Sequence, residues 1–324
     1  MREALFVKQN SEKWTAYEQL QTNSPDELAE RFIDIMNDLA YAKTFYPKSK
    51  TTAYLNGVAA KLHQSIYKNK KEETSRFIKF WKFELPFLFH QYRRQMLYAF
   101  LFFTTFSLIG ALSAKYDDTF VRLILGDSYI NMTNENIAKG DPFGVYKQQG
   151  EFQMFFQIAA NNSYVTLLAF VSGIFLSIGP VFIMMKNGIM LGSFEYYFFS
   201  KGLGLDSILV IWIHGTLEIS AIIIAGAAGL VLGQGLLFPK TYTRAQAFKQ
   251  SAKDGTKIAV GIIPIIIIAA FFESFITRHT SMPSWLSVSI LASSLTFIIW
   301  YVIIYPNQLI KRNQSTSNEG KLRI

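Results

Sequence analysis

The stretch IWIHGTLEISAIIIAGAAGLVLGQG, residues 211–235, decides the fold, because it is almost wholly apolar and long enough to cross a membrane. At its head, His214 and Glu218 stand four residues apart, so a helix places both side chains on one face. An ionisable pair within hydrocarbon is costly and is expected to face protein or a wet cavity. Small residues continue roughly along that face and predict close approach of a neighbouring helix: Ala225, Gly229 and Gly233.

The composition extends this prediction to the whole chain. Hydrophobic residues make up 50% of the 324 positions and are concentrated in long runs, which is typical of a multi-pass protein in contact with the lipid bilayer. Cysteine is absent, which excludes disulfides and thiolate metal sites. The net charge of +9 comes from basic residues before and between the apolar runs, so it favours a membrane-orientation signal over nucleic-acid binding.

Residues 1–95 are charged and amphipathic, and we expect them to form a cytoplasmic helical region. Residues 24–27 (Ser-Pro-Asp-Glu) predict a helix start, because they combine a capping serine, a proline suited to the first turn and a capping box. From about residue 73, many aromatic side chains alternate with lysines, which predicts an interfacial helix kinked at Pro86. A soluble helical hairpin packed on itself is the alternative for this segment.

The membrane domain is expected to cover residues 96–308 with about six membrane segments, some of them broken or re-entrant. The predicted segments are 97–114, 165–185, 187–202, 205–238, 258–276 and 285–305. The third is short and is expected to be a tilted span or a re-entrant helix. Because basic residues are depleted in 115–164, we expect an outer loop there, with short amphipathic helices near 120–125 and 151–160. Residues 309–324 are expected to be a cytoplasmic tail. The predicted fold is all-α, with both termini in the cytoplasm.

Glycine and asparagine mark the predicted helix breaks and contacts. Gly215 predicts the break in the long segment 205–238. Gly188 and Gly192 have the GxxxG spacing of closely packed membrane helices. Turns or helix caps are predicted at three asparagines: Asn161, Asn162 and Asn187.

Several of these stretches together resemble the stage II sporulation protein M family. They are Phe6 with Trp14, residues 38–42 (Asp-Leu-Ala-Tyr-Ala), residues 54–57 (Tyr-Leu-Asn-Gly), Asn161 with Asn162, Asn187 with Gly188 and Gly192, His214 and Gly215 with Glu218, and Glu273. The resemblance covers nearly the whole chain and rests on the order and spacing of the motifs. It implies a bacterial cytoplasmic (inner) membrane protein. The family's namesake is a scaffold for peptidoglycan-degrading partners during spore engulfment, but this chain's long N-terminal region and outer loop keep the sporulation role from being carried over.

Three interpretations of His214 and Glu218 stay open. The pair is a structural tie between helices, a transport or proton-relay site, or part of a hydrolytic centre. A zinc protease has the order His-Glu-x-x-His, whereas this segment has one histidine followed by Glu218, so hydrolysis has the least support. Glu273 either faces water at the interface or meets Glu218 or His214 across a helix pair.

No metal and no cofactor is expected, because the other histidines lie in unrelated segments: His63, His90 and His279. No Walker loop or Gly-x-Ser-x-Gly elbow is present, so ATP hydrolysis by the chain is not expected. The leading hypothesis is a non-enzymatic scaffold or assembly partner in bacterial envelope processes. Its partners would be other membrane or envelope proteins, and a homo-oligomer stays open. The alternative is a transport permease, working with a separate ATPase, that uses the intramembrane polar site.

Overall fold

The computed structural model describes residues 2–19, 24–68, 75–147, 150–279 and 282–312. Every regular element in these ranges is helical, which confirms the predicted all-α class. Residues 313–324 of the expected tail lie outside the described residues. The chain separates into two compact units, Met1–Ile78 and Lys79–Ile324.

Three long helices build the first unit: α1 (Glu3–Gln19), α2 (Pro25–Phe45) and α3 (Lys50–Lys68). Ser24 caps α2 as predicted, since its hydroxyl accepts a hydrogen bond from the Glu27 backbone N–H at 3.4 Å. The three helices bury one apolar core among themselves, formed by Phe6, Trp14, Leu28, Ile35, Leu39, Ala42, Leu55, Val58, Ala59 and Leu62. Burial of this core is the main force that holds the unit together.

The remaining elements follow in chain order. They are α4 (Ser75–Lys79), a π-helical turn (Phe80–Glu84), α5 (Leu85–Gln91), α6 (Arg93–Tyr116), α7 (Asp118–Leu125), α8 (Asp127–Ala138), a 3-10 turn (Gly144–Lys147), α9 (Glu151–Val171) with a 3-10 turn (Ser172–Ile174), α10 (Ile178–Ser200), α11 (Gly204–Leu237), α12 (Arg244–Gly261), α13 (Ile263–Phe271) with a π-helical turn (Phe272–Thr277), and α14 (Ser284–Ile299) with a π-helical turn (Trp300–Ile304).

Within the described part of the chain, five helical segments are long and apolar enough to cross a membrane. They are Arg93–Tyr116, Glu151–Ile174, Gly204–Leu237, Arg244–Thr277 and Ser284–Arg312. The 23-residue helix α10 also has spanning length, but Lys186, Asn187 and Glu195 interrupt its apolar sequence. The second unit is therefore a multi-pass membrane protein whose long helices number five, or six when α10 is included.

The long helices run alternately in opposite directions. Gly188 and Gly192 of α10 lie against Phe103 and Ser107 of α6 in the same order along both helices, so α10 runs parallel to α6. At one end of the bundle, which we call the Gln234 end, Gln95 at the start of α6 hydrogen-bonds Gln234. The opposite end is called the Thr277 end. Because α10 runs parallel to α6 and α9 crosses back between them, the start of α10 also lies at the Gln234 end.

Glycines allow the backbones of these helices to touch. A side chain added at Gly192 would overlap the Ser107 carbonyl oxygen on α6, and one at Gly229 of α11 would overlap the Ala169 carbonyl oxygen on α9. A side chain added at Gly233 would likewise overlap Ser177, in the turn before α10. Ala225 is fully buried in the core beside them. The small-residue face of α11 therefore packs directly on its neighbours, as membrane helices commonly do.

The predicted segments 165–185 and 187–202 are wrong in their boundaries. The chain breaks at residues 175–177, where Leu176 and Ser177 have positive φ values of 51° and 68°. Residues 151–160, expected as a separate amphipathic helix, are the first half of α9. Residues 187–202 are mostly the second half of α10 and not a short re-entrant piece. Asn161 and Asn162, which suggested a turn, instead lie within α9, where Asn162 is buried.

The break predicted at Gly215 is also absent, because α11 continues without interruption from Gly204 to Leu237. An isolated glycine costs a helix about 1 kcal/mol relative to alanine. Almost the whole of α11 from Ile211 to Gly235 is buried, so packing outweighs that cost.

The aromatic segment 80–91 packs one face on the bundle. Pro86 lacks an N–H group and leaves the Lys82 carbonyl without its helical partner. The Tyr305 hydroxyl donates to that carbonyl at 2.9 Å. Leu85 and Phe89 are buried, whereas Phe87 is half exposed on the opposite face. The segment thus has one buried face and one exposed apolar face, the pattern that is typical of an interfacial helix.

Candidate functional site

Three ionisable side chains meet inside the bundle: His214 and Glu218 on α11, and Glu273 on the π-helical turn after α13. Potential ligand atoms of all three lie within 4.8 Å of one another. The four-residue spacing on α11 aligns the first two, and the antiparallel approach of α12–α13 brings the third. The meeting of Glu273 with the α11 pair, left open by the sequence, is a feature of the tertiary fold. We call these residues the polar cluster.

His214 is buried, and its ring is oriented by the residues around it. It is 4% exposed, and its Nδ1 lies 3.0 Å from the Thr277 hydroxyl. Its Nε2 lies 3.9 Å from Glu273 Oε1, which is longer than a hydrogen bond. The Tyr146 ring meets the imidazole edge-on, with 5.9 Å between ring centroids. The hydrogen bond to Thr277 therefore fixes the ring so that Nε2 points towards the carboxylates.

Asn162 supports the other carboxylate. It is buried in α9, and its side chain lies beside Glu218. Its neighbour Asn161 donates to the Asn162 side-chain oxygen at 3.3 Å. Asn187 lies inside α10 and donates to the Ile183 carbonyl at 2.8 Å. All three asparagines are interior helix residues, so their prediction as turns or caps is wrong.

A cavity of about 410 Å³ opens onto the polar cluster. Its walls are mainly apolar side chains of α6, α10 and α11, and residues of α7, α8 and the 3-10 turn line its remaining side. Gly215 lines it too, and the absence of a side chain there keeps space beside His214. Burial raises the pKa of Tyr129, which lines the α8 side, to about 12. The cavity is therefore mainly apolar, and the polar cluster lies on one of its walls.

The expectation that no metal would bind rested on the scatter of the four histidines along the sequence. The polar cluster needs only one of them, because two glutamates complete a set of three potential ligands. One imidazole and two carboxylates form a donor set that first-row divalent cations accept.

Two residues of the site carried no signal in the sequence. Thr277 orients His214, and Tyr146 covers it from the segment between α8 and α9. A threonine at a helix end and a tyrosine in a loop are common in any protein. Only the folded chain places them beside the cluster.

Comparisons with known proteins are consistent with the membrane architecture. Residues 99–278, more than half of the chain, match the family described as Stage II sporulation protein M, and this match contains the whole polar cluster. Residues 4–68 match a domain of unknown function (DUF8413) and coincide with the three-helix unit. No curated protein and no solved structure is significantly similar to the chain.

Proposed function

The chain belongs to the stage II sporulation protein M family, and we propose on that premise that it is a non-enzymatic scaffold for envelope proteins in the bacterial cytoplasmic membrane. One observation carries the proposal: the helices of the bundle are joined by backbone contacts at glycines, as at Gly192 and Gly229. Helices in such close contact cannot slide without losing many van der Waals contacts. A rigid bundle suits a protein that holds partners in fixed positions.

The charge distribution supports an orientation for this scaffold. The Gln234 end carries a basic loop and helix start with Lys240, Arg244 and Lys249, and α6 begins with Arg93 and Arg94. Cytoplasmic segments are enriched in lysine and arginine. With six crossings, both termini then lie in the cytoplasm, and the segment from α7 to the 3-10 turn lies outside.

The scaffold is tested by crosslinking and pull-down of the tagged full chain from native membranes. We expect a reproducible set of membrane or envelope proteins, and we expect Glu218→Gln to retain that set because it leaves the glycine contacts intact. Gly229→Ala, which disturbs those contacts, should reduce recovery of the same partners. Recovery no higher than that of an unrelated multi-pass protein, or loss of all partners in Glu218→Gln at normal folding, would contradict the scaffold.

A transport permease is the second candidate, and the cavity favours it. Glu218 lines an open chamber and is not sealed among apolar side chains. Carboxylates facing cavities within membranes are frequent in proton and ion pathways. Proton flux into liposomes, driven by a potassium diffusion potential and read by a trapped pH dye, tests it directly. Flux that disappears in Glu218→Gln and persists in Glu195→Gln would favour the permease over the scaffold. Wild-type flux no greater than the leak of protein-free liposomes would reject the permease.

A further inference from the structure

The polar cluster has unbalanced charge. It brings two carboxylates to one histidine inside the bundle, and within the described residues neither Glu218 nor Glu273 forms an ion pair with lysine or arginine. The basic residue nearest in sequence, Arg278, pairs with Glu151 at 3.3 Å. Two carboxylates in a low-dielectric site repel one another and lose their hydration, so they are stabilised either by taking up a proton or by a positive charge shared between them.

The orientation of His214 adds an independent observation. When metal-bound histidines use one ring nitrogen as ligand, the other is hydrogen-bonded to a neighbour that fixes the ring. Here Nδ1 bonds Thr277 at 3.0 Å, and Nε2 faces Glu273 at 3.9 Å. That gap is too long for a hydrogen bond, yet small side-chain rotations would bring both atoms within 2.0–2.2 Å of a common ion, about the distance zinc requires.

We propose that His214, Glu218 and Glu273 bind a divalent first-row transition-metal cation, through one imidazole nitrogen and two carboxylates. The cation would neutralise the two carboxylates and join α11 to the turn after α13. Three protein ligands leave coordination positions open towards the cavity, where water or an oxygen of a ligand has room. Mixed nitrogen and oxygen donors favour Zn²⁺ or Mn²⁺ over Mg²⁺, which retains more of its water.

This binding site is separate from the scaffold role, since the rigid packing at Gly192 and Gly229 involves other residues. It also differs from the proton-relay interpretation of the cluster. A relay needs the carboxylates to exchange protons with the cavity, whereas a bound cation occupies their oxygens. The two possibilities give opposite results when metal content is measured.

The test is metal binding by the purified full chain in detergent, prepared with a tag that contains no histidine. After treatment with chelator, equilibrium dialysis against Zn²⁺ or Mn²⁺ should give one ion per chain, measured by mass spectrometry of the metal. Glu218→Gln and Glu273→Gln should each weaken binding more than 100-fold, because each removes a ligand. Thr277→Val leaves the ligands in place and should weaken binding 10- to 100-fold by releasing the histidine ring.

Glu195→Gln is the matched control. Glu195 is another glutamate within the bundle, but it accepts hydrogen bonds from Trp212 at 2.7 Å and from Ser207 at 3.5 Å and is not part of the cluster. This variant should bind the ion as tightly as the wild type. Should a ligand variant fail to fold, as judged by helical circular dichroism, Thr277→Val still decides the result. Wild-type chain without stoichiometric metal, or equal affinity in all variants, would overturn the proposal and leave only adventitious binding.

Discussion

Gly229→Ala is expected to destabilise the membrane domain by about 1–3 kcal/mol, whereas Gly215→Ala in the same helix should leave its stability unchanged or raise it by up to about 1 kcal/mol. A Cβ at Gly229 would overlap the Ala169 carbonyl oxygen and the Pro180 ring, and a backbone carbonyl cannot move without shifting α9. A Cβ at Gly215 has only Ile219 Cδ1 near it, at 4.0 Å. Both glycines are buried in α11, so the pair separates overpacking from helix propensity.

The measurement is reversible unfolding of both variants in mixed detergent micelles, followed by circular dichroism. Alanine is a better helix former than glycine, so Gly215→Ala gains up to about 1 kcal/mol from helix propensity and loses little from packing. Equal stability of the two variants would mean that α9 and α11 are not in backbone contact. The rigid bundle, on which the scaffold proposal rests, would then lose its support.

Trp14→Ala is expected to destabilise the amino-terminal three-helix unit by about 3–5 kcal/mol. Trp14 is 2% exposed, packs edge-on against Phe6 with 5.3 Å between ring centroids, and donates its indole N–H to Asp38 at 2.7 Å. The substitution removes the largest side chain of that core and leaves a cavity. A loss of this size is a large fraction of the total free energy of unfolding of a unit this small.

Hydrogen exchange of the full chain, resolved by peptide mass spectrometry, measures this effect within one unit. Amides of α1 to α3 should exchange at least 100-fold faster in Trp14→Ala, since each 1.4 kcal/mol corresponds to a factor of ten. Leu5→Ala, at a half-exposed position of the same helix, is the control and should alter exchange little. Unchanged protection in Trp14→Ala would show that Trp14 is not a core residue.

Much of this architecture follows from sequence alone. The all-α membrane class, the cap at Ser24 and the shared face of His214 and Glu218 rest on local patterns, such as hydrophobic runs, capping residues and helical spacing. The resemblance to the stage II sporulation protein M family also predicted a membrane protein. These features depend on neighbours close in the chain, and the sequence therefore contains them directly.

The helix breaks were harder to predict, because glycine has two opposite roles in membrane helices. At Gly215 it opens space beside a cavity without ending the helix. The actual break falls at Leu176 and Ser177, residue types that rarely adopt positive φ. Polar residues are ambiguous in the same way. Asn162 was predicted to be a turn or a cap, but it lies inside a helix, beside Glu218. A polar residue in a membrane sequence can thus be a buried contact as readily as a turn.

The convergence of Glu273 with the α11 pair could not have been derived, because the residues are more than 50 positions apart in the chain. It depends on the antiparallel path of α12–α13 and on the π-helical turn from Phe272 to Thr277. No local pattern specifies which face of that turn meets α11. The site is consequently a product of packing, although each member was visible as an unusual polar residue.

The central claim is that α10 crosses the membrane beside α6 and so forms a wall of the cavity above the polar cluster. The absence of cysteine allows a direct test, since single cysteines can be introduced into the otherwise unchanged chain. Labelling of intact cells with a membrane-impermeant maleimide should modify Lys201→Cys, after α10, and leave Phe175→Cys, before it, unmodified until the cells are opened. Modification of both positions from the same side would contradict the account, because α10 would then not cross the membrane.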